Sequence, residues 1–193
     1  MKIVGITGGI GSGKSTVCRI FETLGIPIYQ ADDRAKYLMQ NDVDLVQKIK
    51  TTFGEKAYIN GQLNRPFLAK TIFRDSNKTA QINALVHPVV GNDFNHWQRE
   101  QQAPYVLKEA ALIIESGSYK QLDFLINVFA SIETRIQRVQ KRDPQRSLEE
   151  IHGIIDKQVS EEQRTALSGF RIDNDGSSLI IPQVLAIHQQ LLN

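Results

Sequence analysis

Gly8-Gly9-Ile10-Gly11-Ser12-Gly13-Lys14-Ser15 fits the spacing G-x-x-x-x-G-K-[ST] and follows directly on the apolar run Ile3-Val4-Gly5-Ile6. No other stretch of the chain constrains its fold as tightly. Glycines at this spacing let the backbone curl until several N–H groups converge on phosphate oxygens. A helix starting near Lys14 adds the positive end of its dipole. The lysine can reach the β- and γ-phosphates, and the Ser15 hydroxyl can ligate Mg²⁺. The flanks supply the context this chemistry needs. A short buried strand precedes the loop, and Val17, Ile20, Phe21 and Leu24 then fall at i, i+3, i+4 and i+7, one face of a helix that Gly25 can close. The chain is therefore read as one that binds a nucleoside triphosphate.

Further along, Ile26-Pro27-Ile28-Tyr29 reads as a second strand, and Asp32-Asp33 can cap the helix after it. Residues 42–102 read as helical throughout. Val46, Ile49 and Phe53 share a face, Asn64 with Pro66 marks a helix start, and Ser76 can open a helix carrying Ile82, Leu85 and Val86. That helix is expected to stop before His87-Pro88, because the residue before proline is pushed out of the helical region. Val90, Phe94 and Trp97 mark one more apolar face. Tyr105–Leu107, Phe124–Val128 and Phe170–Ile172 are strand candidates, Ser147-Leu148-Glu149-Glu150 has capping-box form, and Leu179, Val184, Ile187 and Leu191 mark a closing helix. Strands separated by helices predict a parallel sheet covered on both faces.

Composition removes several classes of function. A net charge of +2 over 193 residues is too small for a nucleic-acid binder. No run of eighteen apolar residues offers a membrane span, and the apolar part of the amino terminus is too short for a signal peptide, so a cytoplasmic location is expected. One cysteine, Cys18, excludes an internal disulfide and a cysteine-cluster metal site, and is read as a packing residue. A phosphate loop alone still allows kinases, GTPases, motor ATPases and regulators. No Asn-Lys-x-Asp guanine reader is present, and Asp173-Asn174-Asp175-Gly176 comes too late for a GTPase switch.

Nearly the whole chain resembles the dephospho-CoA kinase family. Thr7–Thr16, TGGIGSGKST, is similar to the family's amino-terminal motif, and Ala31-Asp32 before Arg34-Ala35 is similar to its D-A-D-x-x-A segment. Leu85-Val86-His87-Pro88, Leu112-Ile113-Ile114-Glu115 and Arg138–Asp143 resemble its L-x-H-P, P-L-L-x-E and R-x-x-x-R-D pieces. Gln158, Arg164 and Asp173-Asn174 fall where the family has its Q…R…D-N ending. Two positions depart from the pattern: Gln30 stands in place of the first aspartate, and Ala111 in place of the proline before the Leu-Leu pair.

The resemblance implies an α/β, three-layer P-loop kinase fold with a parallel sheet, a helical acceptor-binding subdomain and a lid. It is read as a single domain, with the core at about 1–41 and 103–193, the helical insertion at about 42–102 and the lid at about 138–165. The implied activity is ATP-dependent phosphorylation of the ribose 3′-hydroxyl of dephospho-CoA, with Mg²⁺. The partners are these small molecules, with no nucleic acid and no membrane. Gly9, Ile10, Gly11, Ser12, Gly13, Lys14, Ser15 and Thr16 would hold ATP together with Arg142 and Arg164. Asp32, Lys14, Arg138 and Arg142 are the catalytic candidates, and Asp32, His87, Arg138 and Gln158 the acceptor-binding ones. Ser15, with Asp32 as a second candidate, would hold the metal. The residues alone leave Asp32 open between helix cap and catalytic carboxylate; the resemblance favours catalysis. Arg135, Arg138 and Arg142 fall at i, i+3 and i+7, a pattern that fits a solvated basic face or cations over a phosphoryl group. Arg135 is assigned to the surface, and the basic residues of 138–146 are expected to have few acidic partners. Two rival readings stand beside this one: another small-molecule or nucleoside kinase, and a non-catalytic nucleotide-dependent regulator.

Overall fold

The computed structural model of this chain describes residues 1–72 and 75–193. They divide into two compact units, Met1–Gln30 with Gln101–Asn193, and Ala31–Glu100.

In the first unit β1 (Lys2–Thr7) leads through the glycine loop into α1 (Lys14–Thr23), and β2 (Ile28–Gln30) follows. The other strands come from the distal half of the chain: β5 (Tyr105–Glu109), β6 (Phe124–Phe129) and β7 (Phe170–Asp173). They form one parallel sheet in the order β2-β5-β1-β6-β7, as the alternation of strands and helices predicts. The strand that carries the loop is therefore central and buried on both faces. Side chains alternate across it. Val4 and Ile6 point into the larger core with Phe21 of α1 and Val184 and Leu191 of α9 (Ile180–Leu192). Gly5 faces the other way. A Cβ there would meet Leu122, Leu125 and Ile113, so the absence of a side chain lets that second layer close on the strand.

α6 (Ile132–Arg142), α7 (Leu148–Ile155) and α8 (Glu161–Leu167) lie between β6 and β7. Three serines start them. Ser131, Ser147 and Ser160 each accept the backbone N–H three residues on, and Ser147 with Glu150 completes the expected capping box.

The second unit contains α2 (Ala31–Asn41), α3 (Val43–Phe53), β3 (Tyr58–Ile59), β4 (Gln62–Leu63), α4 (Arg65–Ile72) and α5 (Ser76–Arg99). Two expectations fail here. Residues 42–102 are not helical throughout, since β3 and β4 pair antiparallel around Asn60-Gly61, both at positive φ. Asn-Gly is the pair that a two-residue hairpin turn demands. Nor does a helix stop before His87-Pro88. α5 runs unbroken through Pro88, which removes one backbone hydrogen bond, because Ile82, Val86, Val90 and Phe94 repeat every four residues along one buried face. The helix expected at Phe73 and Arg74 lies outside the described residues.

Ile126 is fully buried between β1 and β7. Ile126→Ala is expected to cost about 2–5 kcal/mol, read as a lowered denaturation midpoint, with the cavity term in addition to the lost transfer energy.

Candidate active site

The glycine loop connects the carboxyl end of the central strand to α1. Gly11 and Gly13 both take positive φ, and Gly13 precedes α1 with no side chain capping the helix. A helix start of this kind can be completed by a phosphate. Inside the loop the Ser12 N–H donates to Gly9 O at 3.1 Å, and the Lys14 ammonium donates to Gly8 O at 2.9 Å. The lysine side chain thus folds back along the loop instead of extending into solvent. Ser15 and Thr16 stand exposed on the first turn of α1.

Three side chains hold the loop from outside. Arg135 Nε donates to Ile10 O at 2.9 Å. Gln158 Oε1 accepts both the Ile10 N–H, at 2.9 Å, and Arg135 Nη2, at 3.3 Å. Asn174 Nδ2 donates to Ser12 O at 2.7 Å, while its own N–H is bound by Phe129 O. In a trans peptide the C=O and the following N–H point in opposite directions. Fixing the Ile10 and Ser12 carbonyls on these side chains therefore turns the Gly11 and Gly13 amides the other way. The close fit also accounts for the glycines. A Cβ on Gly9 would overlap the Arg135 guanidinium, one on Gly13 would overlap the Asn174 amide, and one on Gly11 would lie 2.5 Å from the Arg135 carbonyl oxygen.

The arginines separate by environment. Arg135 is only 6% exposed, so its assignment to the surface is wrong. It stands four residues before Val139, the other buried residue of α6, and shares its inward face. That i, i+4 relation to a core valine was the available signal, and the spacing from Arg138 and Arg142 hid it. Burial lowers the Arg135 pKa, the nearby charge of Arg164 lowers it further, and Glu161 opposes both. Arg164 is 2% exposed and donates to Glu161 Oε2 at 2.6 Å and to Val159 O at 2.9 Å. Arg135, Gln158, Glu161, Arg164, Ser131 and Phe129 help to line a cleft of about 470 Å³. Arg138 is half-buried; its Nη1 is buried without a hydrogen-bond partner among the described residues and lies 3.9 Å from where a Cβ on Gly13 would stand. Arg142, its side chain 62% exposed, pairs with Asp143 at 2.9 Å. Asp143 also lies 3.9 Å from Arg146 Nε, so in this segment, expected to have few acidic partners, one carboxylate serves two guanidiniums. Hydrogen bonding from Arg142 holds the Asp143 carboxyl below the usual carboxylate range.

Within the second unit Asp32 and Asp33 stand exposed in the first turn of α2, directly after β2 in the chain. The next residue, Arg34, grips Asp93 of α5 with two donors, at 2.9 and 2.6 Å, which fixes the turn that carries Asp32. His87 is exposed along α5. Of the motif residues, Glu115 accepts the Val159 N–H at 2.9 Å and so ties its loop to the start of α8.

A glycine loop at the carboxyl end of a central parallel strand, with an arginine-bearing helix beside it, defines the class: this is a P-loop kinase fold. A dephospho-CoA kinase from Bacteroides fragilis is 35% identical over 185 residues, covering 95% of this chain and 90% of that one. Among solved structures, a Thermus thermophilus protein superposes with a TM-score of 0.88 at 30% identity, over 100% of this chain and 98% of that one. A dephospho-CoA kinase from Campylobacter jejuni superposes at 0.69 with 23% identity, over 98% and 96%, a likeness of fold. The family model for dephospho-CoA kinase matches residues 2–179, and the chain belongs to that family.

Two outcomes are expected from this geometry. Gly11→Ala places a Cβ against backbone at a residue with φ of 79°, so neither partner can yield cheaply. ATP binding measured by calorimetry should weaken at least tenfold, and more than in Gly25→Ala, where the added carbon meets open space. Cys18, 2% exposed on α1, has its thiol pushed from 9.0 to about 12, first by burial and then by Glu109 and Glu22. The folded chain keeps this proton between those values while the unfolded chain loses it, so the thiol's contribution to stability is present below pH 9 and is lost as pH rises toward 12. At pH 8, iodoacetamide should label Cys18 only after denaturant is added.

Proposed function

We propose that this chain transfers the γ-phosphoryl group of ATP to the ribose 3′-hydroxyl of dephospho-CoA, giving coenzyme A and ADP, the final step of coenzyme A biosynthesis. Family membership over residues 2–179 supports the acceptor. The observation that carries phosphoryl transfer, as against nucleotide sensing, is Arg138: a buried guanidinium nitrogen beside Gly13 with no hydrogen-bond partner among the described residues, where an incoming anion would satisfy it. A regulator that only senses nucleotide has no need of a cation at that point, and nothing in the site favours a different acceptor.

The loop amides and Lys14 hold the triphosphate. The acceptor oxygen forms a bond to the γ-phosphorus as the bond to the β–γ bridging oxygen breaks, and Asp32 takes the hydroxyl proton. Arg138 and Arg142 offset the charge on the transferring group, and Arg164 supports the wall of the cleft beside it. The segment at about 138–165 acts as the lid, and residues 42–102, with His87, receive the acceptor. Mg²⁺ would be held by the Ser15 hydroxyl, with Asp32 as a second candidate ligand. Both are hard oxygen donors that suit an ion otherwise ligated by phosphate and water, and the ion would neutralise phosphate charge.

ADP release across a panel of hydroxyl acceptors tests the assignment. Turnover should require dephospho-CoA, and equal turnover with a nucleoside would overturn it. Asp32→Asn keeps the shape and removes the proton acceptor, so kcat should fall about 10²–10⁴-fold with little change in the KM for ATP. An unchanged kcat with lowered thermal stability would mean that Asp32 serves only its helix. Lys14→Ala should nearly abolish turnover in a folded protein. Hydrogen exchange across 138–146 should slow when a non-hydrolysable ATP analogue and dephospho-CoA are both bound.

A further inference from the structure

We infer that Arg135 is a positioning residue for phosphoryl transfer, acting through Ile10 and Gln158; the inference rests on the phosphoryl-transfer reading above. The argument starts from the shape of a guanidinium. Nε–H and one Nη–H lie along one edge of a rigid plane and donate in parallel. In Arg135 this edge spans two different acceptors, Ile10 O at 2.9 Å and Gln158 Oε1 at 3.3 Å. The same Gln158 oxygen receives the Ile10 N–H at 2.9 Å. Ile10 therefore has both of its backbone groups bound by side chains, and the peptide planes on its two sides are fixed.

The consequence reaches the nucleotide side of the loop. With the Ile10 carbonyl held on Arg135, the Gly11 N–H points away from the guanidinium. If the arginine is lost, that plane can rotate about Ile10 ψ and about the Gly11 φ, which glycine leaves unhindered. The guanidinium also occupies the space a Gly9 side chain would need, and the Arg135 backbone occupies that of Gly11. Arg135 is thus built into the support of the loop, with its Nε and Nη2 donors engaged by Ile10 O and Gln158 Oε1. Through Gln158 the same link joins the loop to the turn between α7 and α8, so the crest of the loop and the end of the lid segment share one fixed point.

A lysine at 135 keeps the charge but cannot bond two acceptors along one edge, and alanine at 158 removes the shared acceptor while leaving the arginine. The test compares R135K, Q158A and the double variant with the wild type. Two quantities are measured: hydrogen exchange of the peptide spanning residues 8–14 in the free protein, and kcat and KM for ATP and dephospho-CoA. Both single variants should exchange faster across 8–14. Their kcat should fall about 10–100-fold with the acceptor KM within about twofold, since small misplacements of a catalytic frame act on kcat. The double variant should be no worse than the worse single, because both changes break one unit. Wild-type exchange across 8–14 in either single variant would overturn the inference, and so would losses in kcat that multiply in the double. The exchange measurement needs no acceptor. If dephospho-CoA proves not to be the substrate, only the kinetic comparison is lost, and the behaviour of residues 8–14 still decides the role of Arg135.

Discussion

A loop that binds anions through its own amides must hold those amides in an orientation that nothing in the loop sequence enforces. Glycine makes the curl possible and, by the same freedom, makes it unstable. In this chain the difficulty is met from behind. Two carbonyls, those of Ile10 and Ser12, are bound by Arg135 and Asn174, and each such bond turns the next N–H to the opposite side. The sheet order follows the same need. Arg135 arrives on the helix after β6 and Asn174 directly after β7, so the strands on one side of the central strand deliver the supports. Asn174 is in turn fixed to the end of β6 through Phe129 O. The phosphate site is therefore a product of three strand ends and cannot be assigned to the motif alone.

Much of this organisation was legible from local pattern. The strand, the glycine loop and the helix of residues 2–23 could be read because their hydrophobic periods differ and the punctuation is sharp. Ser147 and Glu150 announced their helix through a capping box that the structure contains. The errors came where a local rule met a tertiary one. Pro88 should end a helix, but the buried stripe of α5 continues through it, and packing along that stripe outweighs one lost hydrogen bond. The hairpin at Asn60-Gly61 was missed although its turn residues are specific, because strands of two residues carry no periodicity of their own. Arg135 was misread for a different reason. A buried arginine and a solvated one have the same letter; the i, i+4 relation to Val139 was the local hint, and the partner that holds Arg135 lies more than a hundred residues away in sequence.

Charge balance in the arginine-rich region is finer than its composition suggests. Glu161 pairs with Arg164 and also accepts from Asn127, so one carboxylate stands beside two buried guanidiniums, Arg135 and Arg164. Asp143 plays the corresponding part for Arg142 and Arg146, in the open. The first arrangement is mostly buried, where ion pairs keep their geometry. The second is hydrated, and exposed pairs of that kind contribute little to holding a conformation. A rigid base and an easily rearranged outer edge thus come from the same residue types placed at different depths.

The position of β1 in the sheet also bears on how the chain is made. Its hydrogen-bonding neighbours are β5 and β6, beginning at residues 105 and 124. At roughly 5–20 residues per second, about 100 residues of further synthesis leave this apolar strand without either neighbour for on the order of 5–20 s. The whole of Ala31–Glu100 emerges in that interval, with short-range helical contacts that can form at once. On the ribosome, β1 appears well before the strands that complete it, and its unpaired edges depend on chaperone cover or prompt elongation until the distal strands arrive.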